Sequence, residues 1–317
     1  MSKKKILLIS YSQSGQLTNL AKATVAPLIS DENIELVHKN IKPKTPYPYP
    51  WGFIEFMDAF PESVLLKPCE IEEIPQDDNN YDLIIIAYQV WFLSPAIPIT
   101  AFMKSNYAKE KLKDKPVITL IGCRNMWIMA QEKMKMMLND IEAKLIDNIV
   151  LIDQGSSLAT FITTPRWMLT GKKNAFWGFP EAGILPEDIK QSSRFGNAIS
   201  KALQNDKEKE LNPICHGLGA VNVDIKLIKS EQIATKSFTI WGKLISYIGK
   251  PGSFLRKPVV LLYLVFLILI ILTVVPINMI IQTINRKINK SNTVKLKEQY
   301  EQPSSSDTSR IKEFSDE

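Results

Sequence analysis

The sequence predicts an α/β fold over residues 1–205: a doubly wound, parallel five-stranded sheet with helical crossovers. Residues 5–21, KILLISYSQSGQLTNLA, read as strand, tight polar loop and helix in direct succession. Further on, the runs YDLIIIAYQVW (81–91) and PVITLIG (116–122) are apolar without alternation, as in strands buried on both faces of a parallel sheet. Helical spacing of apolar residues returns between these runs, which is the signature of crossover connections.

In chain order, Ile6, Leu7, Leu8 and Ile9 form the first strand. Ser12, Gln13, Ser14, Gly15 and Gln16 break it, and Leu17, Leu20, Ala21 and Val25 resume at helical spacing. A loop of small and polar residues leading into a helix turns backbone N–H groups and hydroxyls toward one place at the positive end of that helix, which suits a phosphate. The alternative is an ordinary first βα turn capped by serine. No Lys follows the glycine and no G-x-G-x-x-G occurs, so neither a nucleoside triphosphate loop nor a dinucleotide loop is present.

Residues 34–41 alternate as a second strand, with His38 as a strand histidine rather than a ligand. Pro46, Pro48 and Pro50 exclude a long helix or central strand there, and Trp51, Ile54, Met57 and Phe60 then share one face of a short helix, either packed on the sheet or lining a substrate site. The third strand ends at Tyr88, Gln89, Val90, Trp91 and Phe92, and the fourth delivers Cys123, Arg124, Asn125 and Trp127 to the same rim. Ligands of open α/β sheets collect at these carboxyl ends. Residues 145–153 supply the fifth strand and residues 186–203 a closing helix. An aromatic-rich insert, residues 156–185 with Trp167, Phe176, Trp177 and Phe179, reads as a lid or a membrane-facing loop.

Composition narrows the function classes. A hydrophobic share of 45% is ordinary for a chain that buries a core, and the net charge of +6 is modest, so no nucleic-acid partner is expected. Cys69, Cys123 and Cys215 are far apart and odd in number, as in reduced thiols, and no metal-type spacing exists. Cys215 and His216 are adjacent, and adjacent strand residues point to opposite faces, which disfavours a nucleophile and base pair.

The chain beyond residue 205 reads as a linker or extension (206–235), an amphipathic interfacial helix (237–249) anchored by Trp241 and Tyr247, one C-terminal transmembrane helix (258–281) and a disordered polar tail (282–317). That reading places the protein in the inner membrane as a single-pass protein, its folded domain facing the cytoplasm.

The loop YSQSGQL, with the later strand-end segments, resembles the flavodoxin family. The resemblance implies a sheet order of 2-1-3-4-5 and FMN as cofactor, with Ser12, Gln13, Ser14, Gly15 and Gln16 around its phosphate. Leu17 stands where that family has a threonine, so Thr18 takes over that contact or it is lost. Trp91, with Phe92 second, is the implied partner of the flavin ring, and Cys123 and Trp127 border its other side; Trp127 equally suits the apolar side of the following helix. Arg124, Asn125 and Gln89 are the candidate catalytic residues by location, Arg124 as a fixed donor to negative charge.

A narrower resemblance rests on YSQSGQL, PYPYPW, CRNMW and the apolar C-terminal run. It is to a bacterial family of dialkylresorcinol and flexirubin-type pigment pathways labelled "dialkylresorcinol condensing enzyme". It implies an FMN-dependent oxidoreductase that aromatises a lipophilic cyclic diketone, with an electron partner unspecified. The other readings are a membrane-tethered electron carrier or quinone reductase, and a non-catalytic binding protein of the same fold.

Overall fold

The computed structural model describes residues 3–273 and 290–314. Its apolar runs become strands as their patterns require. β1 (Lys4–Ser10) leads through the polar loop into α1 (Gln16–Ser30) and back into β2 (Ile34–Asn40). The proline-rich stretch is irregular until two short helices, α2 (Phe53–Asp58) and α3 (Phe60–Val64). β3 (Leu83–Tyr88) is buried at every position and ends in a small hairpin, β4 (Val90–Trp91) with β5 (Ser94–Pro95). α4 (Ile97–Met103) and α5 (Asn106–Leu112) lead to β6 (Pro116–Cys123), again wholly buried. α6 (Ile128–Asp140) and β7 (Lys144–Ile152) complete the sheet, followed by α7 (Thr160–Thr170), α8 (Pro186–Gln191) and α9 (Ser193–Gln204).

The five-stranded sheet has the order β2-β1-β3-β6-β7, and every pairing in it is parallel. With the hairpin set aside, this is the flavodoxin-like order expected from the sequence. One apolar layer packs Leu17, Leu20, Phe195 and Ile199 of α1 and α9 on one face, and the other packs Phe102, Met134 and Leu138 of α4 and α6 on the opposite face. A buried polar chain links β3, α6, β6 and β7. Tyr88 Oη donates to Gln131 Oε1 (2.6 Å), Gln131 Nε2 to Thr119 Oγ1 (3.0 Å), and Thr119 Oγ1 to Asn148 Oδ1 (2.9 Å).

The C-terminal part departs from the sequence reading. Residues 237–249 are the second half of a longer helix, α10 (Ile225–Ile248), and Trp241 faces protein, its ring 5.3 Å from that of Tyr263. Trp241 is half-buried, and Tyr247 is 90% exposed. The expected transmembrane helix over 258–281 is also corrected. Among the described residues no helix is long and apolar enough to cross a membrane. The apolar run forms α11 (Arg256–Leu272), 17 residues, whose Val260 and Tyr263 are buried against Met57, Phe60, Val64 and Ile245. Hydropathy registered the apolar length of this run but not that one side of it is claimed by α3 and α10. Residues 274–281 of the expected span lie outside the described residues, and the single-pass inner-membrane placement that rested on the span falls with it.

Nor is the tail disordered where it is described: α12 (Lys290–Glu301) and α13 (Ile311–Phe314) are formed, while residues 282–289 and 315–317 lie outside the described residues. Its last segment folds back on the β7 edge. Ser304 Oγ donates to Asp147 Oδ1 and accepts from Asn148 N, both at 2.7 Å, and Asp147 Oδ2 accepts from Ile214 N and Cys215 N. Burial pushes the Asp147 carboxyl up to about 6 against the pull of these donors. Val150 N donates to Ala220 O, so a coil segment occupies the edge that β7 would otherwise leave open. Ser304→Ala leaves a buried acceptor and a buried N–H short of a partner. It is expected to lower unfolding free energy by about 1–3 kcal/mol and to expose the segment around Arg310 to trypsin, both measurable on the full chain.

Candidate functional site

The site lies where the sheet's carboxyl ends open. Gly15, the residue before α1, sits at φ +84° in the left-handed region, and no side chain caps this helix or places an acid in its first turn. The first N–H groups of α1 are thus left for an external acceptor. Ser12 Oγ beside them is buried and has no partner among the described residues. Gln16 has a second task, its Oε1 accepting from Ile184 N at 2.9 Å, which ties the loop to the end of the insert. Gly183 sits at φ +102°, where any side chain is strained, and a Cβ there would stand 2.2 Å from that same oxygen and push the Gln16 amide aside.

A cavity of about 110 Å³ extends from this loop, walled by Gln13, Ser14 and Gln16, by Gln89 and Trp91 after β3, and by Cys123 and Arg124 after β6. Tyr49, Asp153, Thr164, Trp167, Met168 and Gly183 complete the wall. The proline segment and α7 are held together over it: Gln13 Nε2 donates to Pro48 O (2.7 Å) and Trp51 N to Met168 O (2.9 Å). Tyr49 Oη and Thr164 Oγ1 in this wall, and Asn125 Oδ1 close behind it, are buried without partners among the described residues. Native interiors leave few such atoms, and a group of them around one cavity marks a place for a polar ligand.

Arg124 is the cation of the site. Its Nε donates to Thr160 Oγ1 (2.9 Å), and its guanidinium lies 3.9 Å from the Phe161 ring centroid. Burial lowers its pKa to about 10, with Asp153 opposing that shift, so it stays charged at neutral pH. Asp153 accepts from Gly155 N (2.7 Å) and Gly183 N (2.6 Å), fixing both ends of the insert, while burial raises its own pKa. Burial also raises the Cys123 thiol, which makes it a poor nucleophile.

Of the residues singled out in the sequence, Gln13, Ser14, Gln16, Gln89, Trp91, Cys123 and Arg124 meet at the cavity, with Ser12 and Gly15 in the adjoining loop. Thr18, Phe92, Asn125 and Trp127 are not part of its wall. Phe92 turns to Phe56 and Phe60, with centroids at 4.8 and 5.2 Å. Trp127 is buried in the core at the start of α6. Trp91 meets Tyr11, Tyr47 and Trp51 edge to face at 5.0–5.9 Å, so the surrounding rings fix its orientation. Trp51 itself walls a separate hollow of about 510 Å³. Tyr88 is spent on Gln131 inside the core.

Sequence reasoning missed Tyr49, Asp153, Thr164 and Met168. Asp153 was within reach of it, because it follows the fifth strand as Arg124 follows the fourth. Thr164 and Met168 arrive from an insert whose helical register no local pattern sets, and Tyr49 from the irregular proline-rich segment.

No family model matches the sequence, and no curated protein matches it. Among solved structures the chain is similar to a flavoprotein in complex with FMN from Lactobacillus acidophilus NCFM, at 21% identity over 47% of this chain and 93% of that one, TM-score 0.38. It is also similar to a flavodoxin from the domain Archaea, at 13% identity over 63% and 99%, TM-score 0.32. An azoreductase from Bacillus anthracis str. Sterne matches at 13% identity over 62% and 100%, TM-score 0.31.

Proposed function

We propose that the protein is an FMN-dependent oxidoreductase acting on a lipophilic cyclic diketone. The observation that carries this reading is the set of partnerless buried polar atoms, Ser12 Oγ, Tyr49 Oη, Thr164 Oγ1 and Asn125 Oδ1, around a cavity at the uncapped start of α1. They fit FMN at its phosphate end, since the loop from Ser12 to Gln16 offers hydroxyls and N–H groups and no carboxylate. Ser12, Ser14 and the N–H groups of Gly15 and Gln16 would hold the phosphate; Gln89, Trp91 and Arg124 would border the ring.

When bound, FMN would supply a two-electron acceptor for the hydride that leaves, together with a proton, as a cyclic diketone becomes a resorcinol, with O2 or a quinone as final acceptor. Arg124, fixed by Thr160 and Phe161, stabilises negative charge that develops on a substrate oxygen. Trp167 and Met168 exclude water from that side, and the aromatic lining suits an apolar body.

Titration of FMN with the full-length protein is expected to quench flavin fluorescence with a Kd in the micromolar range or below, and FAD to bind more weakly. Purified protein that is colourless and leaves FMN fluorescence unchanged overturns the reading.

A further inference from the structure

α6 begins without a cap of its own. The residue before it is Trp127, which supplies no side-chain acceptor, and its first turn carries no acid. The segment just ahead of it contains Cys123 and Arg124, two residues of the cavity wall. Four helix N–H groups at that start need acceptors, and in this protein one comes from far along the chain. Glu231 of α10 is fully buried (0% exposed), and its Oε2 accepts from Met129 N at 2.9 Å. Ile128 N also favours the charged form of this carboxyl. Glu231 Oε1 has no hydrogen-bond partner, and no Lys or Arg forms an ion pair with Glu231 among the described residues. A buried carboxyl without a cation is costly, and here it meets the otherwise uncapped start of α6.

We propose that Glu231 is a positioning residue for the candidate site: from the C-terminal extension it caps α6 and thereby holds the 123–127 segment, with Arg124, in its place on the cavity wall. The extension is then part of the site's construction. Burial pushes the Glu231 carboxyl up to about 8, so near pH 7 the neutral form prevails and accepts through its carbonyl oxygen. Glutamine offers the same oxygen at the same reach; leucine offers none. The coupling to ligand affinity rests on the FMN reading, whereas the capping does not.

The test uses the full chain as wild type, Glu231→Gln, Glu231→Leu and the milder Glu231→Asp. Amide hydrogen exchange is followed without FMN, and Kd for FMN is measured by fluorescence. In Glu231→Leu, exchange at residues 123–131 is expected to rise at least tenfold while β1 and β3 keep their protection, and the Kd to rise about five- to twentyfold. Glu231→Gln should stay within about twofold of wild type on both readouts, and Glu231→Asp should fall between, deciding the matter if the leucine variant does not fold. Unchanged exchange at 123–131, a uniform rise across the sheet, an unaltered Kd beside a loosened segment, or a glutamine variant that behaves like leucine overturns the proposal. Wild type that binds no FMN refutes the functional reading and leaves the exchange result to decide the capping.

Discussion

Replacing Arg256 with Met is expected to lower the unfolding free energy by about 3–5 kcal/mol. Arg256 is fully buried at the start of α11, with Nη2 2.9 Å from Glu62 Oε2 and Nε 3.1 Å from Asp58 Oδ1. Nη2 also donates to the Asp58 carbonyl at 2.9 Å, and Asp58 Oδ2 accepts from Gly252 N at 2.6 Å. Removing the guanidinium leaves two mostly buried carboxylates facing each other with no cation between them, which costs far more than the pair itself contributes. Urea unfolding of the single variant measures the loss. The triple variant Arg256→Met, Asp58→Asn, Glu62→Gln removes the charges together and should recover most of it. A single variant within about 1 kcal/mol of wild type would show that the pair is hydrated in solution.

Ser14→Asp is expected to weaken FMN binding by at least a hundredfold. The new carboxylate would stand at the start of α1, in the loop proposed to hold the phosphate, and like charges brought together in a binding site cost several kcal/mol, each 1.4 kcal/mol being about tenfold in Kd. Ser14 is half-buried and outside the apolar core, so the variant should fold, and unchanged far-UV circular dichroism is the control. Ser14→Ala, which removes only one donor, should weaken binding by about tenfold. Equal affinity of the aspartate variant and wild type would sink the phosphate assignment.

The sheet was legible because its central strands carry no alternation to misread: β3 and β6 are buried throughout, and apolar runs of that length have few other uses. The first loop was legible because Gly15 and the small hydroxyl residues interrupt two opposite periodicities at one point. Half of the candidate site was not legible. Trp51 N reaches Met168 O, and Gln16 reaches Ile184 N, across separations that no local pattern encodes. The C-terminal half misled for a related reason. Apolar residues in α11 register alike whether lipid or protein covers them, and the packing of Tyr263 on Phe60, with ring centroids 4.3 Å apart, shows that protein covers one side. The serine-rich tail likewise gives no sign that Ser304 reaches Asp147.

The clasp between Ser304 and Asp147 joins positions 157 residues apart, and it completes the cover that residues 214–220 begin over the edge of β7. On a ribosome that emits the chain from its N-terminus, all five strands are out before this cover can be completed. The nascent protein therefore passes through a stage with a formed sheet and an edge strand only partly covered, a state open to pairing with a neighbouring chain. Contacts of such span also slow the final step, because the loop must close before its bonds form. Ribosome-released fragments that stop short of residue 304 should accordingly depend on chaperones in a way that the complete chain does not.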